Sequence, residues 1–390
     1  MKNDLEKRPR IRRAQSCATD AREAVREFHA AVTQPNMALV IFFCSSAYDR
    51  ELLADEMRRL FAGVQVVGCT TAGEIGPAGY QDHSLTGVSF PASSFNAVSG
   101  RLDCLQQFQI AAGQAFAQAL LQKLESQAPQ ANADNSFAML LIDGLSVREE
   151  PVTRALQSAL GRFPLVGGSA GDGLNFGTTH VYFEGHFHTD SAVLMLVSTR
   201  LPFKLFKTQH FVATDERMVV TAADTAHRIV KEINGLPAAQ EYARILGVDA
   251  GDLDPTRFAA SPVVVMIDGT NYVRSIQKVN PDGSLTFFCA IDDGLVLRVA
   301  KGVDLLENLE QVFTQIHAAI GQPQLVLGCD CILRKLEIFQ GPLKERVDEL
   351  FLRNNTIGFS TYGEQFQGVH VNQTLVGIAI GTDATETGDA

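Results

Sequence analysis

Val67-Gly68-Cys69-Thr70-Thr71-Ala72-Gly73-Glu74 returns 290 positions later (67 to 357) as Ile357-Gly358-Phe359-Ser360-Thr361-Tyr362-Gly363-Glu364. Both stretches fit apolar-Gly-x-Ser/Thr-Thr-x-Gly-Glu. A shortened relative, Val166-Gly167-Gly168-Ser169-Ala170-Gly171-Asp172, lies between them. An apolar run that reaches Gly-x-Ser/Thr and ends at Gly-acid reads as a buried strand opening into a tight turn, where glycine adopts backbone angles other residues avoid. Each copy closes the same succession of apolar run, amphipathic stretch and glycine pattern. The repetition indicates a chain built by duplication, whose glycine turns converge on a shared feature.

Working outward, Thr19 to Val32, Arg50 to Phe61, Ile110 to Leu124 and Val303 to Ile320 carry apolar residues at helical spacing. Ala38 to Cys44, Ala138 to Ile142 and Leu325 to Leu327 are apolar β runs. His180 to Phe187 and Ala192 to Val197 read as two strands around a Thr189-Asp190 turn, and Asn280-Pro281-Asp282-Gly283 as a hairpin turn. The expected fold is α/β (α+β): mixed β-sheets covered by helices, built from strand-helix-strand units that end in the glycine turn. The expected divisions are an arm and helix at 1–35, one domain at 36–234, a second at 235–381 and a disordered tail at 382–390. Arg8, Arg10, Arg12 and Arg13 are expected to form a solvated arm.

With 390 residues, 46% hydrophobic and 20% charged, the chain has the composition of a soluble globular protein. A net charge of −11 argues against nucleic-acid binding, which needs a basic face. No apolar run approaches the roughly 18 residues of a membrane span, and no secretory signal opens the chain. Seven cysteines, mostly inside apolar runs, suit a reducing cytoplasm. A cytoplasmic location is therefore expected, and homo-oligomerisation is left open.

The glycine patterns, with Leu236-Pro237-Ala238-Ala239 and Asp282-Gly283-Ser284-Leu285, resemble the FIST-domain sensory family, an N-terminal FIST segment followed by a C-terminal one. The resemblance covers roughly residues 38 to 380. FIST segments are often fused to signalling output modules. This chain has no room for a kinase, receiver or cyclase domain, so it resembles the stand-alone nitric-oxide-sensing haemoprotein branch (NosP). That resemblance implies b-type haem, nitric oxide bound at the iron, and a histidine kinase as partner, acting on phosphorelay or cyclic-di-GMP signalling and biofilm behaviour. The alternative is a haem-free sensor or binding module for amino acids or another small metabolite.

Three histidines fall within nine residues, at His180, His186 and His188. Haem iron needs an imidazole nitrogen in an apolar pocket. His188, beside the turn, is the candidate axial ligand of the haem iron, with His186 second and His180 nearby. Cys329 and Cys331 could join His186 and His188 in a zinc set, although the spacing is poor. Gly73, Glu74, Gly363 and Glu364 are candidate contacts for the amine of a small ligand. In the competing reading, Thr71 and Thr361 hold the turn while the glutamates bind neighbouring backbone. His83 and His370 fall in comparable places after the two full patterns. Ser169 lacks the strand-turn-helix context of a nucleophile elbow, so no catalytic residue is assigned and no enzyme is expected.

Overall fold

The computed structural model describes residues 10–267, 270–340 and 342–383; Arg8, Asp268 and the tail 384–390 lie outside the described residues. The frame consists of three repeats. The first comprises β1 (Arg12–Ser16), α1 (Ala21–Val32), β2 (Met37–Ser45), α2 (Arg50–Leu60), β3 (Val66–Thr71), the hairpin β4–β5 (Glu74–Gly76, Gly79–Gln81) and β6 (Leu85–Pro91). The second comprises β7 (Phe95–Leu102), α3 (Ile110–Gln127), β8 (Ser136–Ile142), α4 (Glu149–Leu160), β9 (Leu165–Ser169), the hairpin β10–β11 (Val181–Phe183, His186–His188) and β12 (Ala192–Thr199).

The third repeat opens with β13 (Phe203–Thr208) and is then interrupted by an inserted sheet. That sheet holds β14 (Phe211–Asp224), β15 (Ile229–Ile233), β16 (Leu236–Pro237), β17 (Val263–Ile267), β18 (Thr270–Arg274), β19 (Ile276–Val279), β20 (Leu285–Phe287) and β21 (Val296–Gly302), with helices α5 (Ala238–Leu246) and α6 (Pro255–Ala260). The repeat resumes with α7 (Leu305–Ile320), β22 (Leu325–Cys331), α8 (Ile332–Ile338), α9 (Leu343–Arg353), β23 (Thr356–Thr361), the hairpin β24–β25 (Glu364–Phe366, Val369–Val371) and β26 (Leu375–Ile380).

Each repeat builds one six-stranded sheet: β1-β6-β2-β3-β10-β11, β7-β12-β8-β9-β24-β25 and β13-β26-β22-β23-β4-β5. At the centre of each sheet two parallel strands are joined through a helical segment, β2 with β3, β8 with β9 and β22 with β23. The last two strands of every sheet are a hairpin donated by another repeat. Repeat 2 gives its hairpin to the first sheet, repeat 3 to the second and repeat 1 to the third. The exchange closes a circle.

Strand alternation explains how three sheets share one centre. Leu39, Ile41 and Phe43 of β2 point into a common core with Phe137, Met139 and Leu141 of β8 and Leu325, Leu327 and Cys329 of β22. The intervening Val40 and Phe42 pack under α1 and α2, while Ala138, Leu140 and Ile142 pack under α3 and α4. Strands buried on both faces read as continuous apolar runs, as these do. Phe43 and Phe359 stack at 4.3 Å where the first and third sheets meet.

Several expectations change. Arg12–Ser16 is not a solvated arm but an edge strand against Leu85–Ser89. The segment from His180 to Phe187 is not one strand: Glu184 (φ 47) and Gly185 (φ 85) turn it back on itself. The duplication is a triplication. Asn234-Gly235 forms the turn that joins β15 to β16 (Leu236–Pro237).

Candidate functional site

The three glycine patterns meet at the centre of the circle. One backbone bond runs from each strand end to another repeat: Ala72 N donates to Ser360 O (3.0 Å), Gly171 N to Thr70 O (2.9 Å) and Tyr362 N to Ser169 O (3.4 Å). Three more answer them, Thr70 N to His180 O (2.9 Å), Ser360 N to Gly73 O (2.7 Å) and Ser169 N to Gly363 O (2.8 Å). Buried backbone groups must find such partners, and here each repeat supplies them to another. The first glycine of each pattern permits the approach. A Cβ on Gly68, Gly167 or Gly358 would run into the carbonyl oxygen of the residue opposite, Phe42, Leu140 or Gly328.

The terminal acids fasten the turns. Glu74 accepts from Thr71 Oγ1 and, at 2.9 Å, from both the backbone N–H and the hydroxyl of Ser84. Glu364 accepts from Thr361 Oγ1 (2.6 Å), Thr374 N (3.1 Å) and Thr374 Oγ1 (2.8 Å). Both are fully buried, and burial pushes their carboxyls up to about 7 and about 8. Gly73, Glu74, Gly363 and Glu364 thus sit inside the junction, with the carboxylates hydrogen-bonded within the chain. The turn-holding reading describes this arrangement. In the shortened pattern Asp172 instead receives Phe176 N, Gly177 N and Thr178 N at 2.8–2.9 Å, ordering the loop before β10.

Around the junction, each donated hairpin faces helical segments of the receiving repeat and makes a cleft. Strand register equates Phe187, His370 and Tyr80, which stand opposite Tyr182, Gln365 and Ile75. The counterpart of His370 is therefore Tyr80 rather than His83. In the cleft of repeat 2, Arg228 enters from the inserted sheet and bonds Glu149 (2.6 Å) and Glu150 at the start of α4. The Phe288 carbonyl lies 3.3 Å from His370 Nε2. The cleft of repeat 3 is covered by α8, whose Lys335 donates to Ala72 O (2.7 Å) and pairs with Asp82.

The cleft of repeat 1 remains open. It has a volume of about 760 Å³ and is lined by Tyr48, Asp49, Arg50, Glu51, Ala54, Asp55, Arg58, His180, His186 and Phe187. Asp49 caps α2 by accepting from Glu51 N and Leu52 N at 3.0 and 3.1 Å. Arg58 bridges to the hairpin through Gly185 O (3.1 Å) and the His186 ring (3.2 Å), and also pairs with Asp55. Arg50 and Glu51 form no side-chain hydrogen bond or ion pair within the described residues.

The structure does not gather the three histidines round one point. His188 is held on both nitrogens, with the Arg101 guanidinium donating to Nδ1 and Phe183 O 3.3 Å from Nε2. His186 is exposed beside Arg58. Each of these two rings stands beside an arginine guanidinium. His180 differs: it lines the cleft, and its buried Nδ1 has no hydrogen-bond partner. Burial and then the nearby Arg50 hold its pKa below the ordinary histidine value. Cys329 and Cys331 are buried in β22 of the third sheet, apart from the histidines on the hairpin of the first. Among the described residues no three His, Cys, Asp or Glu side chains are grouped to hold a metal ion. None of the described helices is long and apolar enough to cross a membrane.

Sequence reasoning missed Arg50, Arg58 and Tyr48. For Tyr48 and Arg50 the available signal was their position just beyond the carboxyl end of the parallel strand β2, where open α/β sheets place ligands; Arg58, in the last turn of α2, carried no such signal.

Comparison with known proteins agrees with this architecture at the level of family. The FIST N domain model matches residues 38–236 and the FIST C domain model residues 238–367. The chain belongs to the FIST family of sensor domains. It is 22% identical over 371 residues to the uncharacterized protein MJ1623 of Methanocaldococcus jannaschii (strain DSM 2661), covering 84% of this chain and 70% of that protein. Among solved structures, a cyanuric acid hydrolase aligns over 75% of this chain and 99% of its own, at 10% identity and a TM-score of 0.31. A chorismatase aligns over 96% and 98%, at 9% identity and a TM-score of 0.36.

Proposed function

We propose that this sensor binds a small metabolite of the amino-acid class in the open cleft of repeat 1. One observation carries the reading. The two equivalent clefts are occupied by cations of the chain itself, Arg228 and Lys335, whereas the first presents Arg50 and Glu51 without partners. A guanidinium and a carboxylate lining one cleft suit a ligand carrying both charges, its carboxylate on Arg50 and its ammonium on Glu51. The cleft lies between α2 of repeat 1 and the hairpin of repeat 2, so a bound ligand draws two repeats together. Signalling follows when the closed and open forms differ in affinity for a partner. A histidine kinase is the partner that the resemblance implies.

The test is thermal unfolding against a panel of amino acids. A ligand at 100 times its Kd adds about 2.7 kcal/mol, a rise of several degrees. That rise is expected for the wild type and not for Arg50→Ala. Equal shifts in both proteins, or none with any amino acid, would sink the reading.

A second reading, haem and nitric oxide sensing, is favoured by the unpartnered Nδ1 of His180. It moves the axial role from His188 to His180; nitric oxide binding is the chemistry haem would supply. A stoichiometric Soret band that shifts with nitric oxide and disappears in His180→Ala would support it. A band that washes away on desalting would end it.

A further inference from the structure

The seam between repeats 1 and 3 holds a second cleft, of about 610 Å³, lined by Arg10, Ile11, Arg12, Arg13, Ala31, Gln324 and Asn355. Of the seven described residues that line it, three are arginine and none is acidic, in a chain with 44 Asp+Glu against 33 Lys+Arg. Two of the three arginines are held in place. Arg12 donates to Thr33 O at 2.6 Å, and Arg13 donates through Nη2 to Asn355 Oδ1. Asn355 is itself fixed, with Nδ2 donating to Pro323 O at 2.9 Å and its backbone in the left-handed region (φ 56).

Arg13 Nη1 is buried and has no hydrogen-bond partner among the described residues. Burial alone lowers the Arg13 pKa, with no carboxylate offsetting it. A guanidinium nitrogen removed from water without an anion is costly; Arg228 and Arg334, the most deeply buried heads, each meet a carboxylate, whereas Arg274, like Arg13, keeps buried nitrogens without a partner among the described residues. The planar fork of arginine matches the oxygens of phosphate, and several converging forks favour a group with more than one negative charge.

We propose that this cleft is a phosphate-binding site, for a phosphate group either free or carried on a nucleotide. A bound phosphate would accept from the guanidinium groups of Arg10, Arg12 and Arg13 that line the cleft. It would also brace the seam, because Arg13 and Asn355 belong to repeats 1 and 3. The site is independent of the amino-acid cleft, which it does not share a residue with.

Calorimetric titration of the full chain at low salt tests it, with inorganic phosphate, pyrophosphate and ADP as probes and sodium chloride as control. Saturable binding at one site is expected, at least tenfold weaker in Arg12→Gln and in Arg13→Gln and unchanged in Arg50→Ala. Arg10→Gln, exposed and distant from the core, serves if Arg13→Gln fails to fold, and should weaken binding several-fold. Phosphate and pyrophosphate binding without ADP binding identifies a free anion; tighter ADP binding identifies a nucleotide. No saturable heat, or the same weak binding in wild type and all arginine variants, would overturn the proposal.

Discussion

Arg228 places its guanidinium 2.6 Å from Glu149, across the seam between the inserted sheet and repeat 2. Both side chains are nearly fully buried, and Glu150 joins from the same helix turn. Arg228 also donates to Phe288 O at 2.7 Å, so one guanidinium joins the inserted sheet to the frame. Removing one partner from a buried pair leaves a charge without compensation. Arg228→Ala is expected to cost about 3–5 kcal/mol in urea unfolding, and Glu149→Gln with Glu150→Gln should recover most of it. A loss below about 1 kcal/mol would show that the latch contributes little.

The two buried glutamates give a pH signature. Their folded pKa values, about 7 and about 8, lie above the ordinary 4.5, so the folded state holds protons that the unfolded state releases. The stability they contribute is complete below about pH 4.5 and is lost as pH rises through 7 and 8. Glu364→Gln keeps the shape without the charge. Its melting temperature should fall less than that of the wild type between pH 5 and 9, and parallel curves would refute the shift.

Gly358 and Gly167 carry a steric requirement that a neutral glycine does not. A methyl at either would meet a backbone carbonyl, which cannot rotate away, whereas a Cβ on Gly251 meets nothing. Gly358→Ala and Gly167→Ala should each lose about 1–3 kcal/mol by urea denaturation, with Gly251→Ala near neutral. Equal effects at all three would remove the close-approach argument.

Arg58 ties the exposed end of the β10–β11 hairpin to α2 through Gly185 and His186. As an exposed contact it adds about 0–1 kcal/mol to global stability. Arg58→Ala should therefore speed amide exchange at residues 183–188 while leaving the melting temperature nearly unchanged. Unaltered exchange there would mean that the hairpin is held by its pairing with β3 alone.

Much of the frame was legible in the sequence, since strands buried on both faces are written as unbroken apolar runs and helices as spaced ones. The helix Arg50–Leu60 and the strand Ser136–Ile142 fall within two residues of where the spacing places them. The copy in repeat 2 reads only as a shortened relative, because the loop ordered by Asp172 replaces the compact Gly-Glu turn. Arg12 and Arg13 hid the first strand, since an edge strand needs only one buried face. The histidine cluster was visible, but the Glu184-Gly185 turn sends its members to different surroundings.

By itself the sequence determined the repeated unit, the glycine turn that ends it and the family to which the chain belongs. Those follow from local chemistry: which residues tolerate a turn, and which faces must leave water. Only the tertiary structure decided that each repeat gives its hairpin to another, because hydrogen-bond partners hundreds of residues apart leave no local trace. It also decided that Arg228 and Lys335 fill two clefts while Arg50 and Glu51 line an open third. A side chain's partner is set by where the chain returns in space, and spacing along the sequence does not encode that distance.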